Sequence, residues 1–286
     1  MLENIWNPWH GCRKYSEGCE NCYMYYLDSE RGRDGSEIYK VKTNFDLPVK
    51  KTRDGQYKIK SGSTVHVCMT SDFFLEEADA WRNDAWNLIK SRPDLKFWLQ
   101  TKRASRVKDC LPCDWGDGWE NVSLCITAEN QRCADERIPI LLSLPFAEKN
   151  IMCAPMIGEI TLDRYLKTGM IKKVLVDGEN YEGTRCLYYE WVKRLYDECL
   201  ENGVSFDFVG TGNRFIKDGR EYRIPKAYQR VTALRSELRI PKMSYNIPIQ
   251  KKCRSCRRVN VCNGCRMCGK CGPEFSLSSR KEGKQP

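Results

Sequence analysis

Histidine is almost missing from this chain. Among 286 residues only His10 and His66 carry an imidazole. That leaves histidine-based zinc hydrolysis and a Ser-His-Asp triad poorly supplied. Long apolar runs are also missing. None approaches the roughly 18 residues that span a bilayer, so no membrane partner is expected. The opening stretch, MLENIWNPWHG, has no charged segment followed by an apolar core, so no secretory leader is expected and the expected compartment is the cytoplasm. No repeat on the scale of a fold is visible.

Cysteine, in contrast, is abundant, at 17 residues. In a reducing compartment clustered thiols bind metal or react more often than they form bridges. With so little histidine, metal chemistry here is thiolate chemistry, which favours Zn²⁺ or iron–sulfur clusters. Two clusters stand out. Near the start, Cys12, Cys19 and Cys22 are spaced C-x6-C-x2-C. Three thiolates are one short of a structural Cys₄ zinc site, but a 4Fe-4S cluster held by three leaves one iron open to a small ligand. A zinc site completed by His10 or by a distant cysteine, and plain buried thiols, are the alternatives. Near the end, Cys253, Cys256, Cys262, Cys265, Cys268 and Cys271 crowd into 19 residues among Lys and Arg. That segment reads either as a zinc knuckle or as a second iron–sulfur site.

Charge is equally uneven. From Arg214 onward there are 19 Lys+Arg and 5 Asp+Glu, so the preceding residues are slightly acidic although the whole chain is +10. A basic C-terminal region is the electrostatic footprint of nucleic-acid binding, or simply a solvated tail.

Between the clusters, short apolar runs alternate with amphipathic segments. The runs are 65–71, 96–102, 122–128, 149–155, 172–179 and 204–211, with a possible first strand around Ile5. Each is short and β-branched or aromatic, which predicts strands buried on both faces. Alternation with helices predicts an α/β fold with a parallel sheet, as a barrel or partial barrel, with an open doubly wound sheet as the alternative. Cys68, Cys125 and Cys153 fall within three of these strands and read as buried small hydrophobes. Five runs end in polar groups, among them Asp72, Lys102, Glu129 and Asp177-Gly178-Glu179. Ligands in parallel α/β folds bind at the carboxyl ends of the strands, although polar turns there also cap helices. Lys102 is a candidate for holding a phosphate or carboxylate, and Glu129 for holding a ribose hydroxyl, in a catalytic site. Asn7 and Asp72 are candidate cofactor contacts. The expected organisation is a barrel over 1–212, a basic extension over 213–250, a Cys-rich knuckle over 251–273 and a disordered tail over 274–286.

The motifs WNPWHGC…SEGCENCY, VCMTSDFF, LQTKRASRV, NVSLCITAENQRCADERIPILLSLP, APMIGEI and VLVDGENYEGTR occur in that order. Together they resemble the three-Cys-motif family of phage and bacterial proteins, a domain of unknown function. The resemblance spans about residues 4 to 212. It implies a radical-SAM-like partial (β/α) TIM-like barrel, with a 4Fe-4S cluster on Cys12, Cys19 and Cys22. It also implies S-adenosylmethionine on the open iron, with contacts from Asp177, Gly178 and Glu179, and an external electron donor; the basic C-terminal region makes nucleic acid or nucleoside the expected substrate. The chain departs from the family pattern at Ala154, Asp177 and Val209, which stand where the family has Glu, Gly and Lys.

Overall fold

A computed structural model describes residues 4–181 and 183–241. Strands β1 (Ile5–Trp6), β2 (Trp9–His10) and β3 (Tyr39–Lys40) flank helix α1 (Tyr23–Ser29). Then follow β4 (Thr64–Val67), α2 (Asp79–Lys90), β5 (Lys96–Thr101), β6 (Val122–Thr127), α3 (Gln131–Ser143), β7 (Glu148–Cys153), α4 (Asp163–Leu166) and β8 (Ile171–Asp177). The described part ends with β9 (Leu187–Tyr188), α5 (Tyr189–Asn202), β10 (Ser205–Gly210), β11 (Arg214–Lys217), β12 (Arg220–Arg223), α6 (Lys226–Arg235) and β13 (Arg239–Ile240).

The main sheet has eight strands in the order β1-β4-β5-β6-β7-β8-β10-β13. All neighbours pair in parallel except β13, which runs antiparallel to β10. The order never reverses, so there is no switch point of the doubly wound kind. Among the described residues β1 and β13 do not pair, and the sheet is not closed.

The two sides of this sheet differ in chemistry. Strand register places Val65, Val67, Phe97, Leu99, Leu124, Ile126, Ile151, Val174, Val176, Phe206 and Phe208 on one side, all buried in a single core with α2, α3 and α5. The same register puts His66, Trp98, Gln100, Ser123, Cys125, Asn150 and Lys173 on the other. Burial and the Lys173 charge together hold the His66 imidazole below its ordinary value. Three strands separate β4 from β8, and a flat sheet would set them about 19 Å apart. The sheet therefore curls toward its polar side.

Local signals account for the helices. Residues Val192, Leu195 and Cys199 of α5 face the core, and the helix ends where Gly203 turns left-handed at φ 68°. The Asn130 side chain caps α3 by accepting from the Cys133 amide. The sequence boundary at residue 212 is not a structural one. Beyond it β11 and β12 form a hairpin paired to β9, and α6 and β13 return to the main sheet, within one unit spanning Met1–Lys242. The cue was hidden because all four positions of β12, Arg220, Glu221, Tyr222 and Arg223, are exposed, with no apolar period to read. The knuckle over 251–273, with Cys253, Cys256, Cys262, Cys265, Cys268 and Cys271, the tail over 274–286, and residues 242–250 of the extension lie outside the described residues. Among the described residues no helix is long and apolar enough to cross a membrane.

Candidate functional site

The cysteine-bearing segment, residues 11–22, lies over the carboxyl ends of β4, β5, β6 and β8. Its entry is fixed by the backbone. Gly11 has φ 84°, and a Cβ there would stand 2.1 Å from the Glu37 carbonyl, so only glycine fits. Its amide donates to the Thr70 carbonyl at 3.2 Å, and the Cys12 amide donates to Gly35 O at 3.0 Å.

Three buried carboxylates then hold the segment, each paired with an arginine. At the ends of β4 and β5, Asp72 accepts from Thr101 Oγ1 at 2.8 Å, from the Lys102 amide at 3.1 Å and from Arg103 at 3.2 Å. Arg103 also donates to the Arg13 carbonyl at 2.9 Å and approaches Cys12 Sγ at 4.0 Å. At the end of β6, fully buried Glu129 accepts from Arg137 at 2.6 Å and from the Ser16 hydroxyl. Gly18 is packed against this side chain, with room for no Cβ. At the end of β8, Glu179 accepts from Asn21 at 3.0 Å, from the Arg185 amide at 2.7 Å and from its guanidinium. Arg185 reaches on to Glu17 O at 2.9 Å and pairs with Glu20.

The electrostatics agree with these contacts. Burial opposes ionisation of Glu129, yet Lys102, Arg137 and Ser16 hold its carboxyl below the ordinary range. Burial likewise opposes ionisation of Glu179, and Arg185 and Asn21 outweigh it.

The three thiols lie near enough to feel one another's charge. Burial, then Asp72, push the Cys12 thiol up to about 12; Cys19 and Cys22 add to the rise and Arg103 works against it. All three thiols also raise the neighbouring Tyr25 hydroxyl, after burial. Tyr25 donates to the Cys12 carbonyl. Cys22 borders a cleft of about 380 Å³ shared with Glu20, Asn21, Tyr25, Tyr181 and Thr184. Among the described residues, no three His, Cys, Asp or Glu side chains form a cage for a single metal ion. His10 is committed elsewhere: Nδ1 meets Thr70 Oγ1 at 3.1 Å and Nε2 meets Asp28 at 2.7 Å. A zinc ion completed by His10 therefore finds no support.

The other sequence candidates are placed as follows. Lys102 lies beside Glu129 without an ion pair among the described residues, and its charge helps ionise that acid. Asn7 Oδ1 accepts from the Thr70 amide at 3.3 Å, below the cysteine segment. Gly178 packs against Thr211 and Gly212, with no room for a Cβ. Asp177 stands apart from the clamps: its Oδ1 is buried without a partner, and burial lifts its carboxyl to about 7 against the opposing pull of Lys226. Cys68, Cys125 and Cys153 are buried free thiols. Sequence reading missed Arg103, Arg137 and Arg185. The signal was available, since each follows a strand-end acid in the chain and a lone buried acid needs a cation.

No curated protein and no solved structure matches the chain. A family model described as a protein of unknown function, DUF5131, matches residues 1–233, which takes in every strand of the main sheet except β13 together with the cysteine segment, and the chain belongs to that family.

Proposed function

We propose that the chain is an iron–sulfur enzyme of the radical-SAM-like kind, in which Cys12, Cys19 and Cys22 hold a 4Fe-4S cluster at the mouth of a partial TIM-like barrel. The observation that carries this reading is that Cys12, Cys19 and Cys22 lie near enough to feel one another's charge, on a segment held over the carboxyl ends of a parallel sheet. The donor set is all thiol and three in number; among the described residues no three His, Cys, Asp or Glu side chains form a metal-ion site as they stand. When bound, such a cluster supplies one-electron reduction of S-adenosylmethionine and the hydrogen-abstracting chemistry that follows, given an external electron donor.

The chain's own residues do the positioning. Asp72, Glu129 and Glu179, each paired with an arginine, fix the segment. Arg103 favours the thiolate of Cys12. Glu179, expected to contact S-adenosylmethionine, is engaged by Arg185 and Asn21, and Gly178 is packed against Thr211 and Gly212, which leaves the cleft beside Cys22 as the better candidate for that contact.

A nucleic-acid substrate or partner is supported by a separate surface. Lys217, Arg220, Arg223, Arg235 and Arg239 are exposed and make no ion pair among the described residues, and exposed Tyr222 and Tyr228 stand among them. Cations with interleaved aromatics suit phosphates and unstacked bases. This feature also favours the second reading, a non-catalytic nucleic-acid-binding protein whose C-terminal cysteines hold zinc or a second cluster.

The test is iron, sulfide and zinc content of anaerobically purified protein, with low-temperature EPR of the reduced form with and without S-adenosylmethionine. Variants C12A, C19A and C22A and a chain ending at Lys242 run beside it. A signal that S-adenosylmethionine perturbs, lost in each variant and kept in the shortened chain, is the expected result. Zinc alone, or iron retained in all three variants, sinks the proposal.

A further inference from the structure

The structure assigns a second phosphate-gripping surface to an exposed finger over residues 50–60, and with it a polymeric nucleic acid, not a free nucleoside, as the ligand of this chain. The finger lies in the long connection between β3 and β4, residues 41–63. Connections of that length with so little regular structure are uncommon in compact domains, and many are functional. Its two arms meet at a single antiparallel bridge between Lys51 and Tyr57. The Lys58 amide donates to the Lys50 carbonyl at 2.8 Å, and the Thr52 amide to the Gln56 carbonyl at 2.8 Å. Buried Arg92 fixes the root. It donates to the Pro48 carbonyl, to the Ile59 carbonyl at 3.0 Å and to both Asp94 carboxylate oxygens at 2.8 Å, and its guanidinium lies 3.9 Å from the centre of the Tyr57 ring.

The charge on this finger runs against its surroundings. Residues 50–60 carry five Lys+Arg and one acid, although the chain before Arg214 is slightly acidic as a whole. Lys51, Arg53, Lys58 and Lys60 are exposed and form no ion pair among the described residues. The acids nearby are engaged: Asp46 pairs with Lys50 at 3.4 Å, and Asp94 with Arg92. Four unpaired cations select an anion, and their neighbours select which. A protein contact is anchored by apolar or aromatic side chains at its centre, and a membrane-binding segment by apolar groups that enter the lipid. The finger supplies neither. Ile59 is buried, and the Tyr57 ring has Arg92 and Lys51 against it, the Lys51 Nζ at 5.1 Å. Cations without apolar partners suit the phosphates of a nucleic-acid backbone.

Position then distinguishes a strand from a nucleoside. The finger springs from the amino end of the sheet: just before β4 and β5 begin, the Gly62 amide donates to the Asp94 carbonyl at 2.8 Å and the Lys96 amide to the Ser63 carbonyl at 3.0 Å. The cysteine segment lies over the opposite, carboxyl ends. The six residues of β5 alone span about 20 Å, further than a nucleoside reaches. This inference rests on the nucleic-acid part of the proposed function and narrows it to a strand.

The experiment is fluorescence anisotropy of the full-length protein, without reconstitution, with a labelled mixed-sequence single strand of about 30 nucleotides over a series of salt concentrations. Labelled poly-glutamate of similar length and competition by AMP run beside it, with thermal unfolding in parallel. The parent should bind the strand. Lys51→Gln, Arg53→Gln, Lys58→Gln and Lys60→Gln together should weaken that binding roughly ten- to hundredfold and lower the slope of log affinity against log salt by about 3, with the melting temperature unchanged. Lys51→Gln and Arg53→Gln alone should lower the slope by about half as much, and serve if the fourfold variant does not fold. AMP at matched phosphate concentration should not displace the strand. Unchanged affinity and slope in the fourfold variant would overturn the assignment. So would poly-glutamate binding lost to the same degree, or displacement of the strand by AMP. Failure of the nucleic-acid reading itself looks different, because the parent then binds no strand at all; a strand released by Lys217→Glu, Arg220→Glu and Arg223→Glu but not by the fourfold variant would strike this inference and leave that reading standing.

Discussion

Asp177 gives the sharpest test of the packing described at the end of β8. Its Oδ1 is buried without a partner, and a Cβ added at Gly210 would lie 2.6 Å from it. Burial is the largest influence on the carboxyl, and it outweighs Lys226, the Gly178 amide and Arg230, all of which favour the anion. The group titrates near 3.8 in the open chain and at about 7 in the fold. Between those values the folded protein holds a proton that the unfolded chain has lost. Stability is therefore fully present below pH 3.8 and falls as pH rises toward 7, by about 1.4 kcal/mol per pH unit and about 4 kcal/mol at most in total. Asp177→Asn keeps the side chain neutral at every pH. Urea unfolding of both proteins between pH 4.5 and 8.5 reads the difference. The variant's stability relative to the parent should climb from pH 4.5 to about 7 and then level off. Lys226→Met should push the climb to higher pH, since it removes the main opposing charge. A difference that stays flat across the range, or that falls with pH, would refute the burial argument.

Other outcomes follow from the clamps and the basic hairpin. Arg137→Leu leaves Glu129 buried without its cation and should cost about 3–5 kcal/mol by chemical unfolding, with Glu129→Gln in the same chain recovering part of the loss. Gly11→Ala forces a Cβ into the Glu37 carbonyl at a left-handed position; it should lower the melting temperature and, on the proposed cluster reading, the iron bound per chain, whereas Gly55→Ala, in open space, should leave that iron content unchanged. Lys217→Glu, Arg220→Glu and Arg223→Glu together should weaken single-stranded nucleic-acid binding and lower the slope of log affinity against log salt by about 2, from three lost phosphate contacts. An unchanged slope would place the contact elsewhere.

Much of the sheet was legible because its physics is local. Each of the six apolar runs overlaps one of the strands β4, β5, β6, β7, β8 and β10, missing at most its first residue, and Gly203 ends α5 as its position suggests. Strand-end acids were legible as a group because parallel folds gather them at one mouth. Their individual roles were not. Glu129 looked like a ribose ligand or a helix cap, and the structure ties it to Arg137 and Ser16, residues 8 and 113 positions away. A pairing across such distances leaves no periodic trace in sequence. The inner side of the sheet was hidden for another reason. Trp98, Gln100, Ser123 and Asn150 are interleaved with aliphatic residues on each strand, and only the register shows that they share one face.

The clamps also set an order of events in biosynthesis. The cysteine segment is made first, yet its fasteners lie far along the chain: Arg185 contacts Glu17 across 168 positions, and Glu179 meets Asn21 across 158. At roughly 5–20 residues per second, the ribosome needs on the order of ten seconds or more to supply them. During that interval three thiols sit on a tether with no anchor at the far end of the sheet, open to oxidation or to stray metal. If the segment holds the proposed cluster, slower elongation lengthens that interval and should lower the fraction of chains correctly filled.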